Sequence, residues 1–103
     1  MCDDRTVRAF LRRLGEAVRR NTLQVETDAQ QEAEEQGVGA TDIANILTSL
    51  TLGDFLKRPA STRYPGRYVW VFTPEVDDEL TLWIRMVELP GIVVFSFHDR
   101  DED

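Results

Sequence analysis

The sequence predicts an α+β fold in which N-terminal helices pack on a C-terminal antiparallel sheet containing a three-stranded meander. Three observations carry this reading. Apolar residues recur at helical spacing in the first half of the chain, and the period shortens to two after "ASTRYPG". The three β-type segments that follow are joined by links too short for crossover connections, which selects antiparallel pairing.

Each element has its own signal. Val7, Phe10, Leu11, Leu14 and Val18 fall at i, i+3, i+4, i+7 and i+11, one stripe of an amphipathic helix whose remaining surface is rich in arginine. Asn21 is a stop, and "TLQVET" then alternates as a short half-buried strand does. Thr27 or Asp28 can cap a second helix through "AQQEAEEQ", with Gly37 as its left-handed terminator. Gly39 and Thr41 open a third, in which Ile43, Ile46, Leu47 and Leu50 repeat at helical spacing. "TLGDFLKRP" reads as another short helix, capped by Thr51, anchored by Leu52, Phe55 and Leu56 and ended by Pro59. The β-type segments are "RYVWVFT" (67–73), "ELTLWIRMVE" (79–88) and "GIVVFSFH" (91–98), linked by "PEVDD" and "LPG".

The chain of 103 residues, 42% hydrophobic and 30% charged, predicts one domain over 1–103 with an acidic tail from about residue 99. No apolar run approaches the roughly 18 residues of a membrane helix. The polar, acidic start "MCDDR" is wrong for a signal peptide, so the expected location is the cytoplasm, without membrane contact. Cys2 is the lone cysteine and reads as an incidental thiol. A net charge of −7 argues against general affinity for nucleic acid, but the charge is unevenly placed. Residues 1–20 hold six arginines against Asp3, Asp4 and Glu16. Lys57, Arg58, Arg63 and Arg67 form a second basic island in residues 57–74, with no acid among them.

Strand parity places Leu80, Leu82, Ile84 and Met86 on one face of the middle segment, with Trp83 and Arg85 on the other. On the last segment Val93, Phe95 and Phe97 share a side, read as core, opposite Ser96 and His98. Trp83, Arg85, Ser96 and His98 therefore meet on the second face if the register is regular. There is no glycine-rich phosphate loop, GxSxG elbow, HExxH or cysteine pair, and neither a metal nor a cofactor is expected. What remains is Lys57, Arg67, Arg85 and His98, with Tyr68, Trp83 and Ser96 nearby. RNA cleavage without a metal needs a base for the ribose 2′-hydroxyl, an acid for the leaving 5′-oxygen and cations for the phosphate. Histidine, with an ordinary pKa of about 6.5, can serve as acid or base. Arginine forks grip phosphate and tryptophan stacks a base. Each residue also has a plain structural use: exposed strand charge, core ring or strand end.

The strings "LTSLTLGDFLKR", "PGRYVWVF", "LTLWIRM" and "VVFSFH", in this order, resemble the MqsR family of bacterial type II toxins, mRNA interferases on a RelE-like scaffold. Lys57 matches the lysine that ends the family's "DFYK" block, where Leu56 replaces the tyrosine. "LWIR" stands for "LYIK", so Trp83 replaces a functional tyrosine and Arg85 keeps a cation. "SFH" stands for "SFK", placing His98 where a catalytic lysine is usual, and Val69 falls on the glutamine of "WQDVY". The resemblance implies an endoribonuclease toxin acting on mRNA, free or on the ribosome, and silenced by a cognate antitoxin. Taken with the residues read above, the catalytic residues would be Lys57, Arg85 and His98, and Trp83 with the neighbouring Arg63, Arg67 and Tyr68 would bind RNA. Two other readings stand beside it: a non-catalytic interaction module on the same scaffold, and a regulator whose acidic surface mimics nucleic acid.

Overall fold

The structure is a computed structural model that describes residues 3–102, so the lone thiol of Cys2 and the end of the acidic tail, Asp103, lie outside the described residues. Three helices cover one face of a five-stranded mixed sheet, which bears out the α+β expectation. The first helix, α1, spans Asp4–Arg19; Asp3 caps it by accepting the Thr6 N–H, which lowers the pKa of its carboxyl. Val7, Phe10, Leu14 and Ala17 form its buried face. Asn21, at φ 59°, turns the chain through the left-handed region into the strand β1 (Gln24–Val25). The second helix, α2 (Thr27–Glu35), is entered at Glu26 rather than at Thr27 or Asp28, with no side-chain cap. Gly37, at φ 78°, ends it as expected, and α3 follows at Ala40–Thr48.

The sequence reading fails at "TLGDFLKRP". Only Leu52–Asp54 is helical, a single 3-10 turn in which Asp54 caps the Thr51 N–H, and the chain then extends as the strand β2 (Phe55–Lys57). Extension lets Phe55 pack edge-on to Phe72 at 5.5 Å while β2 pairs with the next strand. Apolar residues at 52, 55 and 56 suit a turn followed by a strand as well as they suit a helix, and periodicity cannot separate the two over so short a stretch.

The strands β3 (Val69–Phe72), β4 (Leu82–Glu88) and β5 (Ile92–Asp99) form the antiparallel meander. The sheet order is β1-β5-β4-β3-β2, with β1 parallel to β5 at one edge and β2 at the other. Arg100–Glu102 is not loose: it makes a 3-10 turn, and the Arg100 N–H donates to the Thr81 carbonyl at 2.8 Å.

The core lies between the helices and the sheet, where Phe10 stacks on Trp70 at 4.2 Å and on Phe72 at 5.9 Å. Ile84 pairs with Phe97, and Arg85 with Ser96, but Met86 then pairs with Val94, so Phe95 is an extra residue in β5. This bulge overturns part of the parity reading. Ile92, Val94 and Phe97 enter the core, whereas Val93 and Phe95 do not belong to it. The residues that define the other face are unaffected, because Trp83–His98 and Arg85–Ser96 remain cross-strand pairs.

Candidate functional site

The face of the sheet turned away from the helices carries the chemistry. The register draws one row across four strands, Lys57–Val71–Arg85–Ser96, from β2 to β5. At the normal strand spacing this row spans about 15 Å. Beside it lies the pair Trp83–His98, and toward the other end Val69, Val87 and Val93 are buried in line.

Residues 58–68 form the connection from β2 to β3, and they fold back over this face as a strap. The Ser61 N–H donates to the Arg67 carbonyl and the Val69 N–H to that of Pro59, which closes the base of the strap. Gly66, at φ 83°, supplies the left-handed turn. The far end of the strap reaches the opposite edge of the sheet. There Arg63 Nη2 donates to Glu26 Oε1 at 2.7 Å, and the Tyr64 hydroxyl donates to Glu26 Oε2 at 2.9 Å. That hydrogen bond, reinforced by burial and the carboxylate charge, raises the Tyr64 pKa above its ordinary value. Tyr64 meets Phe95 edge-on at 6.0 Å, so the bulged phenylalanine seats the strap.

Between strap and sheet lies a cleft of about 310 Å³. Lys57, Val69, Val71, Arg85 and Phe95 line it from the sheet, and Ser61, Thr62 and Arg63 from the strap. The Phe95 ring lies 5.4 Å from both the Arg63 and the Arg85 guanidinium carbons, so an aromatic surface is flanked by two cations. Lys57 Nζ lies 5.4 Å from the centre of the Trp83 ring. Arg85 Nε and Trp83 Nε1 are buried donors that make no hydrogen bond among the described residues.

The residues singled out in the sequence divide into three groups. Lys57, Arg63 and Arg85 line the cleft. Trp83 adjoins it beneath Lys57, and His98 is the cross-strand neighbour of Trp83. The His98 side chain is 11% exposed, and its Nδ1 lies 2.9 Å from Ser96 Oγ and 3.4 Å from Glu32 Oε2. Arg67 and Tyr68 stand apart. Arg67 donates to the Glu88 carbonyl at 3.3 Å, at the end of β4. Tyr68 shares the parity of Trp70, and the two rings hold the Arg58 guanidinium between them, 4.4 and 4.6 Å away. Phe95, Tyr64, Glu26 and Glu32 belong to the site yet gave no sequence signal, because a bulge and three contacts between distant residues bring them there. Among the described residues no cluster of His, Cys, Asp and Glu could hold a metal ion, and no helix is long and apolar enough to cross a membrane.

A helix layer on one face of a mixed sheet, with cations and aromatic rings on the other beneath a strap, defines a small α+β protein with a cation-lined cleft. The sequence model of the family described as "Motility quorum-sensing regulator, toxin of MqsA" matches residues 8–99, from the first turns of α1 to the last residue of β5. The chain belongs to this MqsR toxin family, as the four sequence blocks implied. No curated protein matches the chain.

Proposed function

We propose that the chain is the toxin of a type II toxin–antitoxin pair, a metal-independent endoribonuclease that cleaves mRNA and is neutralised by a cognate antitoxin. The observation that carries this reading is the row Lys57–Val71–Arg85–Ser96, which sets two cations on the sheet face beside the Trp83–His98 pair and under a strap that adds Arg63. The phosphate of a single strand sits among Lys57, Arg63 and Arg85, and a neighbouring base stacks on Phe95 or Trp83.

In the reaction the ribose 2′-oxygen gives its proton to His98 and bonds to phosphorus. The bond from phosphorus to the 5′-oxygen breaks, and that oxygen takes a proton from the Lys57 ammonium. Arg85 and Arg63 balance the charge that builds on the phosphoryl oxygens. The products are a 2′,3′-cyclic phosphate and a free 5′-hydroxyl.

The test is cleavage of an end-labelled, mixed-sequence RNA by the purified chain in EDTA, beside His98→Ala. Cyclic-phosphate ends made by the wild type and lost in the variant support the proposal. Intact RNA, with folding verified and ribosomes supplied in a parallel reaction, sinks it. The second reading, a non-catalytic interaction module, draws support from the low exposure of His98. It requires that His98→Ala leave binding of the antitoxin unchanged and that RNA stay whole.

A further inference from the structure

We infer that the outward face of α1 is a docking surface for a short, acidic, amphipathic segment of a partner protein. α1 belongs to the helix layer, on the side of the sheet opposite the cleft, so the inference stands apart from the ribonuclease reading.

Of the six arginines in residues 1–20, three have acidic partners. Arg13 Nε lies 2.7 Å from Glu88 Oε2, and Arg19 and Arg20 reach Glu16 Oε2 at 3.3 and 3.6 Å. Arg5, Arg8 and Arg12 are exposed and make no ion pair among the described residues. They stand at i, i+3 and i+7 of α1 and so form one line, which Arg19 continues two turns further on. With a rise of about 1.5 Å per residue, the line from Arg5 to Arg12 is about 10 Å long. The chain has 19 acids for 12 cations, yet no described acid pairs with these three.

Beside the line the surface dips. A shallow depression of about 580 Å³ is lined by Ala9, Leu11 and Gly15 of α1 and by Thr48 at the end of α3, together with Arg12 and Arg19. Gly15 keeps it open, since a Cβ there would stand 3.4 Å from Arg19 Nη1 and a larger side chain would occupy the space. Small apolar groups beside guanidinium forks suit a segment that carries carboxylates along one side and an apolar side chain among them. Each fork can hold a carboxylate by two hydrogen bonds, and the apolar side chain leaves water as it enters the depression.

RNA fits this face poorly. Single strands bind where bases can stack on aromatic rings, and Phe10, the aromatic residue of α1, is fully buried. Acids also close the line at both ends, Asp3 and Asp4 before Arg5 and Glu16 one turn beyond Arg12. A long polyanion meets repulsion there, whereas a segment of two helical turns does not.

The test uses the full chain and two fluorescein-labelled peptides of one composition. In the first, glutamates at i, i+4 and i+7 share a helical side with a leucine; in the second, the same residues are shuffled so that the glutamates encircle the helix. A single-stranded RNA of equal charge is the third probe. Fluorescence anisotropy is recorded at fixed salt for wild type, for the triple variant Arg5→Gln, Arg8→Gln, Arg12→Gln, and for Gly15→Leu, with circular dichroism checking each fold. Glutamine forms helix about as well as arginine, and Gly15→Leu fills the depression while leaving every arginine in place. The first peptide should bind wild type about tenfold more tightly than the second, and each variant should weaken it by about tenfold or more. Equal affinity for the two peptides overturns the inference, as does a first peptide that either variant binds as wild type does. RNA binding that the triple variant abolishes overturns it too, and gives the face to nucleic acid.

Discussion

Lys57 is the one lysine in a chain whose other cations are arginines, and it stands where the cleft meets the Trp83 ring. An ammonium can hand over a proton where a guanidinium cannot, so the two cations of the row are not interchangeable. Lys57→Ala is expected to lower RNA cleavage about a hundredfold while Lys57→Arg restores binding without restoring turnover. Parallel kcat and KM measurements on both variants check this. Tyr64 offers a probe that needs no RNA. Its hydroxyl donates to Glu26, which raises its pKa above the ordinary value of about 10. A folded value above the unfolded one stabilises the clasp fully below about pH 10, and that contribution disappears as pH rises through the folded value. Tyr68→Phe leaves Tyr64 as the only tyrosine. The tyrosinate absorbance of that variant should then titrate above about pH 10, and Glu26→Ala should bring it back down. A titration at the ordinary value in both would show that the clasp does not hold in solution.

At the scale of elements, the strap governs access to the site. It is closed at its base by two backbone hydrogen bonds and at its tip by the Glu26 contacts, and Gly66 makes its turn at a φ that an L side chain adopts at a cost of about 1–2 kcal/mol. Gly66→Ala should loosen the strap alone. Hydrogen exchange at the Ser61 and Val69 amides should quicken while β4 and the Met86 amide hold their protection. Which elements could be read from the sequence follows the same physics. α1, α3 and the meander were legible because their patterns run through several turns or pleats, and the strand pairs Trp83–His98 and Arg85–Ser96 followed from parity. The β2 segment was misread because three apolar residues fit a helix or a strand. Phe95 was misassigned because one extra residue reverses parity along the rest of a strand, and nothing in "VVFSF" announces it. The clasp was invisible because Glu26 and Arg63 are 37 residues apart.

For the whole molecule, one core carries the stability and the proposed RNA contacts draw on a small part of the charge. Phe10 is fully buried between the helices and the rings of Trp70 and Phe72. Phe10→Ala should cost about 3–5 kcal/mol, a large share of the roughly 5–15 kcal/mol available to a domain of this size, and denaturant titration will register the loss. With a net charge of −7, the protein as a whole would repel RNA, and the cations lining the cleft are Lys57, Arg63 and Arg85. The logarithm of RNA affinity should therefore fall against the logarithm of salt with a slope of about −2, as three phosphate contacts on a single strand require. A much steeper slope would move the binding surface to the arginines of α1. The sheet order has a consequence for the timing of assembly. β5 lies between β1 and β4, so a strand near residue 24 waits for one near residue 93 before that edge of the sheet is settled. The strap waits too, since its seat is Phe95 and its anchor, Glu26, is held to Val94. The cleft wall at Phe95 and the strap's anchor at Glu26 thus depend on pairings that span most of the sequence.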